Sequence, residues 1–147
     1  MPELPEVEII KLGLERKIVG LKIKNVILLQ LKSFIGDPKK IVGLKVDRVW
    51  RRANILGIEL NKGTLLFHLK MTGQIIYQRS NIKSQRFIGG HPTEDMLGKL
   101  PNQHTRVIFE FNDGSHLYFN DMRRFGWIKV VTSTEVTSNK LFENLGP

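Results

Sequence analysis

The residues best suited to chemistry stand at the amino terminus, in the run Met1-Pro2-Glu3-Leu4-Pro5-Glu6-Val7. Removal of the initiator methionine exposes a proline whose nitrogen is a secondary amine. A free α-amino group titrates at about 7.7–8.0, so such a terminus is substantially unprotonated at neutral pH without burial to lower it. An amine of this kind attacks an aldehyde carbon as Schiff-base lysines do. With proline the adduct is a permanently cationic iminium, which draws electrons from neighbouring carbons. Glu3 lies beside this nitrogen, and Glu6 follows one helical turn later on the same face. An amine with two carboxylates supplies a nucleophile and a general acid or base. The same residues also suit plain helix initiation, because Pro5 fits a first turn and acidic side chains favour a helix N-terminus. Spacing alone leaves both readings open.

Three further constellations carry chemical potential. In Asp121-Met122-Arg123-Arg124-Phe125-Gly126 an aromatic stands beside two guanidinium groups at a strand entry. Phe125 is suited to wedging between base pairs while Arg123 fills the hole left by an extruded nucleotide. The alternative is a turn whose phenylalanine packs in the core and whose arginines are solvated. His68-Leu69-Lys70-Met71-Thr72-Gly73 places a methionine near a strand end, where it is ordinarily core filler. His104 precedes a strand-like run, and Arg51-Arg52-Ala53-Asn54 ends another.

The string Pro2-Glu3-Leu4-Pro5-Glu6-Val7-Glu8 resembles the amino terminus of the formamidopyrimidine-DNA glycosylases, bifunctional base-excision enzymes that remove oxidised purines and cleave the abasic strand. Endonuclease VIII relatives usually carry glycine where this chain has Leu4, so the resemblance points to the purine-directed branch. It implies Pro2 as nucleophile, with Glu3 and Glu6 as its catalytic carboxylates. It implies that Met71, Arg123 and Phe125 jointly fill the gap opened by base flipping, and that His104 contacts DNA phosphate. Arg51-Arg52-Ala53 resembles a family triplet on the strand facing the abasic site. The family places a lysine directly after it, whereas this chain has Asn54, which supplies neither a charge nor an acidic proton. Weakened DNA binding and slower strand cleavage are the expected consequence, with Lys70 the nearest candidate for a replacement charge.

The resemblance extends to Asn144-Leu145-Gly146-Pro147, which looks like the start of the family's interdomain linker. The helix-two-turn-helix domain and four-cysteine zinc finger of full-length relatives are expected to be absent from this chain. No cofactor is expected here, and zinc only in that missing carboxy-terminal domain. The implied partner is double-stranded DNA containing oxidised bases or abasic sites, bound by a monomer.

Composition agrees with a nucleic-acid partner without naming one. Lys plus Arg number 23 against 14 Asp plus Glu, a formal charge of +9, which suits phosphate backbones. An RNA or an anionic membrane surface would also explain it. The 147 residues, 41% hydrophobic, suffice for one core and one domain. The absence of cysteine excludes disulfides and thiolate zinc sites. No apolar run reaches membrane-spanning length, and the acidic amino terminus does not read as a secretory signal, so a cytoplasmic or nucleoid location is expected.

The elements that must position these residues follow from periodicity. Val7, Ile10, Leu14 and Ile18 predict an amphipathic helix over 5–18, stopped by Gly20. Strand-like runs lie at 21–29, 44–51, 54–60, 64–70, 74–79, 105–111, 115–120 and 126–131, and Asp37-Pro38 predicts a short helix through Val42. Asn61-Lys62-Gly63 and Asn112-Asp113-Gly114 read as turns. The stretch from Arg79 to Gln103, with Gly89-Gly90, Pro92 and Pro101, reads as a long mobile loop. Many short strands with helices at the ends predict a mainly β fold, a two-layer antiparallel β-sandwich with flanking helices, which is also the amino-terminal domain the resemblance implies. Two rivals remain: a catalytically idle DNA-binding domain, and a basic RNA-binding or assembly module.

Overall fold

Helix α1 (Leu4–Ile18) forms because Val7, Ile10, Leu14 and Ile18 recur at three- and four-residue spacing, and all four are buried. Its first turn holds Pro5, where a missing N–H is harmless, and Glu6, while Arg16 and Lys17 face the negative end of the helix dipole. Gly20, at φ +92°, turns the chain away. The structure is a computed structural model and describes residues 4–70, 73–79, 86–90, 100–123 and 125–131.

Among the described residues ten strands follow: β1 (Ile23–Leu28), β2 (Phe34–Ile35), β3 (Val46–Arg52), β4 (Ile55–Leu60), β5 (Thr64–His68), β6 (Gly73–Gln78), β7 (Arg86–Gly90), β8 (Thr105–Phe111), β9 (His116–Asp121) and β10 (Trp127–Val131). They make two five-stranded sheets, in the orders β1-β8-β9-β6-β7 and β2-β10-β5-β4-β3. The facing sides bury alternate residues of both sheets, such as Phe67 from one and Phe109 and Phe119 from the other, with ring centroids 6.0 and 6.4 Å apart. Each fully buried side chain of this size contributes about 1.5–3 kcal/mol of transfer free energy. The architecture is the mainly β, two-layer sandwich that periodicity predicts. Among the described residues, no helix is long and apolar enough to cross a membrane.

Among the described strands, three connections switch the chain from one sheet to the other: β1 to β2, β5 to β6 and β9 to β10. All three leave from the same end. The register shows this, because Leu28 pairs with Val107, Gly73 with Asp121, and His68 with Trp127. Glycine is required at one of these crossings, where a Cβ on Gly73 would lie 2.4 Å from the Leu69 carbonyl oxygen.

Three expectations are corrected. The segment from Arg79 to Gln103 is not simply a loop, because β7 forms within it and pairs antiparallel with β6. Its glycines weaken any strand signal, yet Gly89 leaves room for Ile10, whose Cγ1 would lie 2.4 Å from an added Cβ. The sandwich is also not purely antiparallel. β2 enters from the end at which β10 starts, so this pair runs parallel, Phe34 beside Ile128. Finally, the short helix after Asp37 is a single 3₁₀ turn, Pro38–Lys40, capped by the Asp37 side chain on the Lys39 N–H at 2.9 Å.

Helix α1 and β7 interlock through small residues. A Cβ on Gly13 would fall 2.1 Å from the Phe87 ring. Gly13→Ala is therefore expected to lower the thermal unfolding midpoint, although alanine is intrinsically better in a helix by about 1 kcal/mol. Adding Phe87→Leu should recover it. A midpoint raised by Gly13→Ala alone would show that Phe87 does not hold this position.

Candidate nucleic-acid interface

The end from which the chain switches sheets also gathers most of the chemically promising residues. The first turn of α1 presents Glu6 to solvent. Glu8 Oε2, two residues on, accepts a hydrogen bond from Arg51 Nε at 3.1 Å, tying the start of the helix to the end of β3. Being half exposed, this ion pair contributes about 0–1 kcal/mol, and its importance is orientation. Pro2 and Glu3 lie outside the described residues, as do Met71 and Arg124.

The β3–β4 turn holds Ala53 and Asn54, directly after Arg52 closes β3. Ala53 is left-handed at φ +53°, and Asn54 is half-buried. Pairing of Ile55 with His68, and of His68 with Trp127, sets this turn beside the end of β5 and the start of β10. His68 is buried against the Trp127 ring, centroids 5.5 Å apart, and its Nδ1 accepts the Lys70 N–H at 3.1 Å. That bond closes a turn in which Lys70 has φ +54°. Burial, with the Lys70 charge nearby, lowers the His68 pKa from 6.5 to about 4, leaving the ring neutral and Nδ1 free to accept.

On the other sheet, His104 is half-buried at the entry to β8. Its N–H donates to Asn102 Oδ1 at 2.9 Å, and its carbonyl oxygen accepts the Asp121 N–H at 2.9 Å. The corner after β9 then carries the two residues of greatest interest. Arg123 is exposed, and Phe125 is 62% exposed, with Met122 beside them at 49%. Of the two alternatives for this motif, packing of the phenylalanine into the core is therefore excluded. At 62% exposure the ring forgoes part of its burial free energy, and with Met122 it leaves apolar surface on this corner open to a partner.

The structure thus brings Glu6, Asn54, His104, Arg123 and Phe125 to one end of the sandwich. Arg52, Lys70 and Arg123 give that end positive charge suited to phosphate. Sequence reasoning gave no role to Asp121, Arg106, Gly126 or His68, which build the support beneath these residues. The available signal was an aspartate and a glycine bracketing the charged aromatic run. Among the described residues, no three His, Asp or Glu side chains gather as metal ligands.

Comparison with known proteins agrees with this geometry. The family model described as the formamidopyrimidine-DNA glycosylase N-terminal domain matches residues 1–128. A formamidopyrimidine-DNA glycosylase of Pelotomaculum thermopropionicum is 37% identical over 99% of this chain and 49% of its own length. That of Rickettsia africae is 36% identical, with the same coverage of 99% and 49%. The chain therefore spans about half the length of the curated relatives it matches. A Lactococcus lactis Fpg variant in complex with Fapy-dG-containing DNA superposes with a TM-score of 0.78 at 25% identity, over 99% of this chain and 49% of that one. The L. lactis complex with abasic-site DNA shares the fold, with a TM-score of 0.78 at 24% identity over 99% and 50%.

The lowered His68 pKa has a consequence for stability. Between pH 6.5 and about 4 the unfolded chain binds a proton at this position and the folded chain does not. The contribution is complete above pH 6.5 and is lost as pH falls toward 4. His68→Gln, which keeps an acceptor but does not titrate, should flatten the pH dependence of the unfolding midpoint across this window. Parallel curves for the two proteins would show that His68 is not held neutral.

Proposed function

The chain belongs to the formamidopyrimidine-DNA glycosylase family, and on that footing we propose that it is the catalytic domain of a base-excision repair N-glycosylase for oxidised purines, with AP-lyase activity through Pro2. The observation that carries the reading is the exposed Phe125 beside Arg123 on a supported corner. A bulky apolar ring held in water next to a guanidinium suits a gap in a duplex better than a protein core. The DNA complexes among the structural relatives, with an abasic site and with Fapy-dG, support a damaged duplex as the partner.

In this reading the duplex bends and an oxidised purine, 8-oxoguanine or a formamidopyrimidine, is everted, while Met71, Arg123 and Phe125 occupy the void. The Pro2 nitrogen, freed by removal of Met1, attacks the sugar C1′ as the bond to the base breaks. Glu3 protonates the opening sugar, and the resulting iminium acidifies the neighbouring carbon, so β-elimination and then δ-elimination cut the strand. Glu6 positions groups at the amine, and His104 holds a phosphate. In the family the last elimination uses an arginine of the zinc finger, which lies outside residues 1–147.

Asn54 favours a second reading, a catalytically idle DNA-binding domain or paralogue without lyase activity. Where the family supplies a lysine ammonium, asparagine offers only neutral donors and an acceptor. Location in the cytoplasm, at the nucleoid, and a monomeric state complete the proposal.

The methionine-processed protein, incubated with an abasic-site duplex and borohydride, should yield a covalent adduct mapping to Pro2. Pro2→Gly should slow base release greatly, and Glu3→Gln should reduce it by roughly 10²-fold or more. Asn54→Lys should raise the adduct yield and steepen the salt dependence of log Kd by about one unit. Salt-sensitive binding without any adduct, from protein with a verified Pro2 terminus and alongside an active full-length relative, would establish the idle domain instead.

A further inference from the structure

Asp121 closes β9 and is fully buried, at 0% exposure, immediately beneath the exposed corner. A buried carboxylate is unfavourable unless hydrogen bonds compensate it. Here Oδ2 accepts the Gly126 N–H at 2.6 Å and Oδ1 accepts the Arg123 N–H at 3.2 Å. One side chain therefore holds both ends of the segment that carries Arg123 and Phe125. The Asp121 backbone is fixed as firmly. Its N–H donates to the His104 carbonyl at 2.9 Å, and its own carbonyl accepts from Nε of the buried Arg106 at 2.9 Å. The Arg106 carbonyl in turn accepts the N–H groups of Leu29 and Gln30, at 2.8 and 3.1 Å.

The other wall of the corner is equally close. A Cβ on Gly126 would lie 2.9 Å from Asp121 Oδ2, 2.9 Å from the His68 carbonyl oxygen and 2.9 Å from Phe119 Cζ. The backbone is thus held at Arg123 and at Gly126, the latter between both sheets, while the side chains of Met122, Arg123 and Phe125 are exposed. A wedge whose backbone is already held at Arg123 and Gly126 loses less conformational entropy on entering a duplex than one that must be ordered there on binding.

We infer that Asp121 is a positioning residue that pre-organises the Arg123–Phe125 corner for insertion into the gap of a damaged duplex. The inference rests on the reading of this corner as the DNA-facing element. Its role is distinct from general stabilisation, because it acts on DNA only through the two projecting side chains. Asp121→Asn keeps the size of the side chain but replaces one acceptor oxygen with an NH₂ group, so either the Gly126 or the Arg123 N–H faces a donor.

The test is a double-mutant cycle on the full chain, with Kd measured for a duplex carrying a tetrahydrofuran abasic analogue and for the undamaged duplex. Asp121→Asn should reduce the preference for the abasic duplex by roughly 10-fold, leave undamaged-duplex binding unchanged, and have no further effect in an Arg123→Ala/Phe125→Ala background. Retained preference in Asp121→Asn overturns the inference, as does a loss that adds in full to that background, the mark of a merely structural role. An Arg123→Ala/Phe125→Ala protein that discriminates like the unsubstituted chain overturns the reading of the corner itself. A second measurement needs no substitution: hydrogen exchange at the Arg123 and Gly126 amides should be at least ~100-fold slower than in an unprotected chain. Exchange at unprotected rates also overturns the inference.

Discussion

The candidate interface depends on one steric constraint, the convergence of two sheets on a position with no room for a side chain. At Gly126 the Asp121 carboxylate, the His68 carbonyl and the Phe119 ring each stand 2.9 Å from where a Cβ would be. This is where the chain leaves β9 of one sheet to enter β10 of the other. The close approach lets Asp121 reach the Gly126 N–H and sets the end of β5 against the start of β10. Moving the Gly126 backbone would break a hydrogen bond to a fully buried carboxylate.

The same arrangement explains how residues far apart in sequence come to one end. Strand pairing fixes His104, Asp121 and Gly73 in one sheet, and Asn54, His68 and Trp127 in the other. Helix α1 joins them because the Glu8–Arg51 ion pair holds its start against β3, while Gly13 and Gly89 let it lie close to β7. The opposite end has a different character. Lys22 and Lys45 are bridged neighbours there, with Lys62 in the β4–β5 turn and Lys17 at the end of α1, all exposed. The positive charge of the chain is therefore distributed over both ends. What separates them is the exposed phenylalanine with its supported guanidinium neighbour, a feature of shape and surface chemistry.

Much of the fold was legible because its signals are local. Val7, Ile10, Leu14 and Ile18 announce α1, and the apolar runs within 105–111 and 115–120 announce the β8–β9 hairpin around Asn112-Asp113-Gly114. Strand β7 was not legible. Its glycines read as loop residues until Ile10 and the pairing with β6 supply the tertiary reason for them. β2 is only two residues long, too short for any period, and its parallel pairing reflects the path of the chain. At the candidate site the motif around Arg123 and Phe125 was visible, but exposure of the ring was not, since a phenylalanine at a strand entry is equally compatible with a core. The part of Asp121 was hidden for a related reason: sequence does not reveal which carboxylates are buried, nor which backbone amides they reach.

The most direct measurement is a two-dimensional amide NMR titration of the protein with a short abasic-site duplex at moderate salt. If the sheet-switching end is the DNA face, the largest shifts fall on Glu6, Arg52 to Asn54, His104 and Asp121 to Gly126, and are smaller with the undamaged duplex. Shifts concentrated instead on Lys17, Lys22, Lys45 and Lys62, equal for damaged and undamaged DNA, would contradict it and leave only a basic surface.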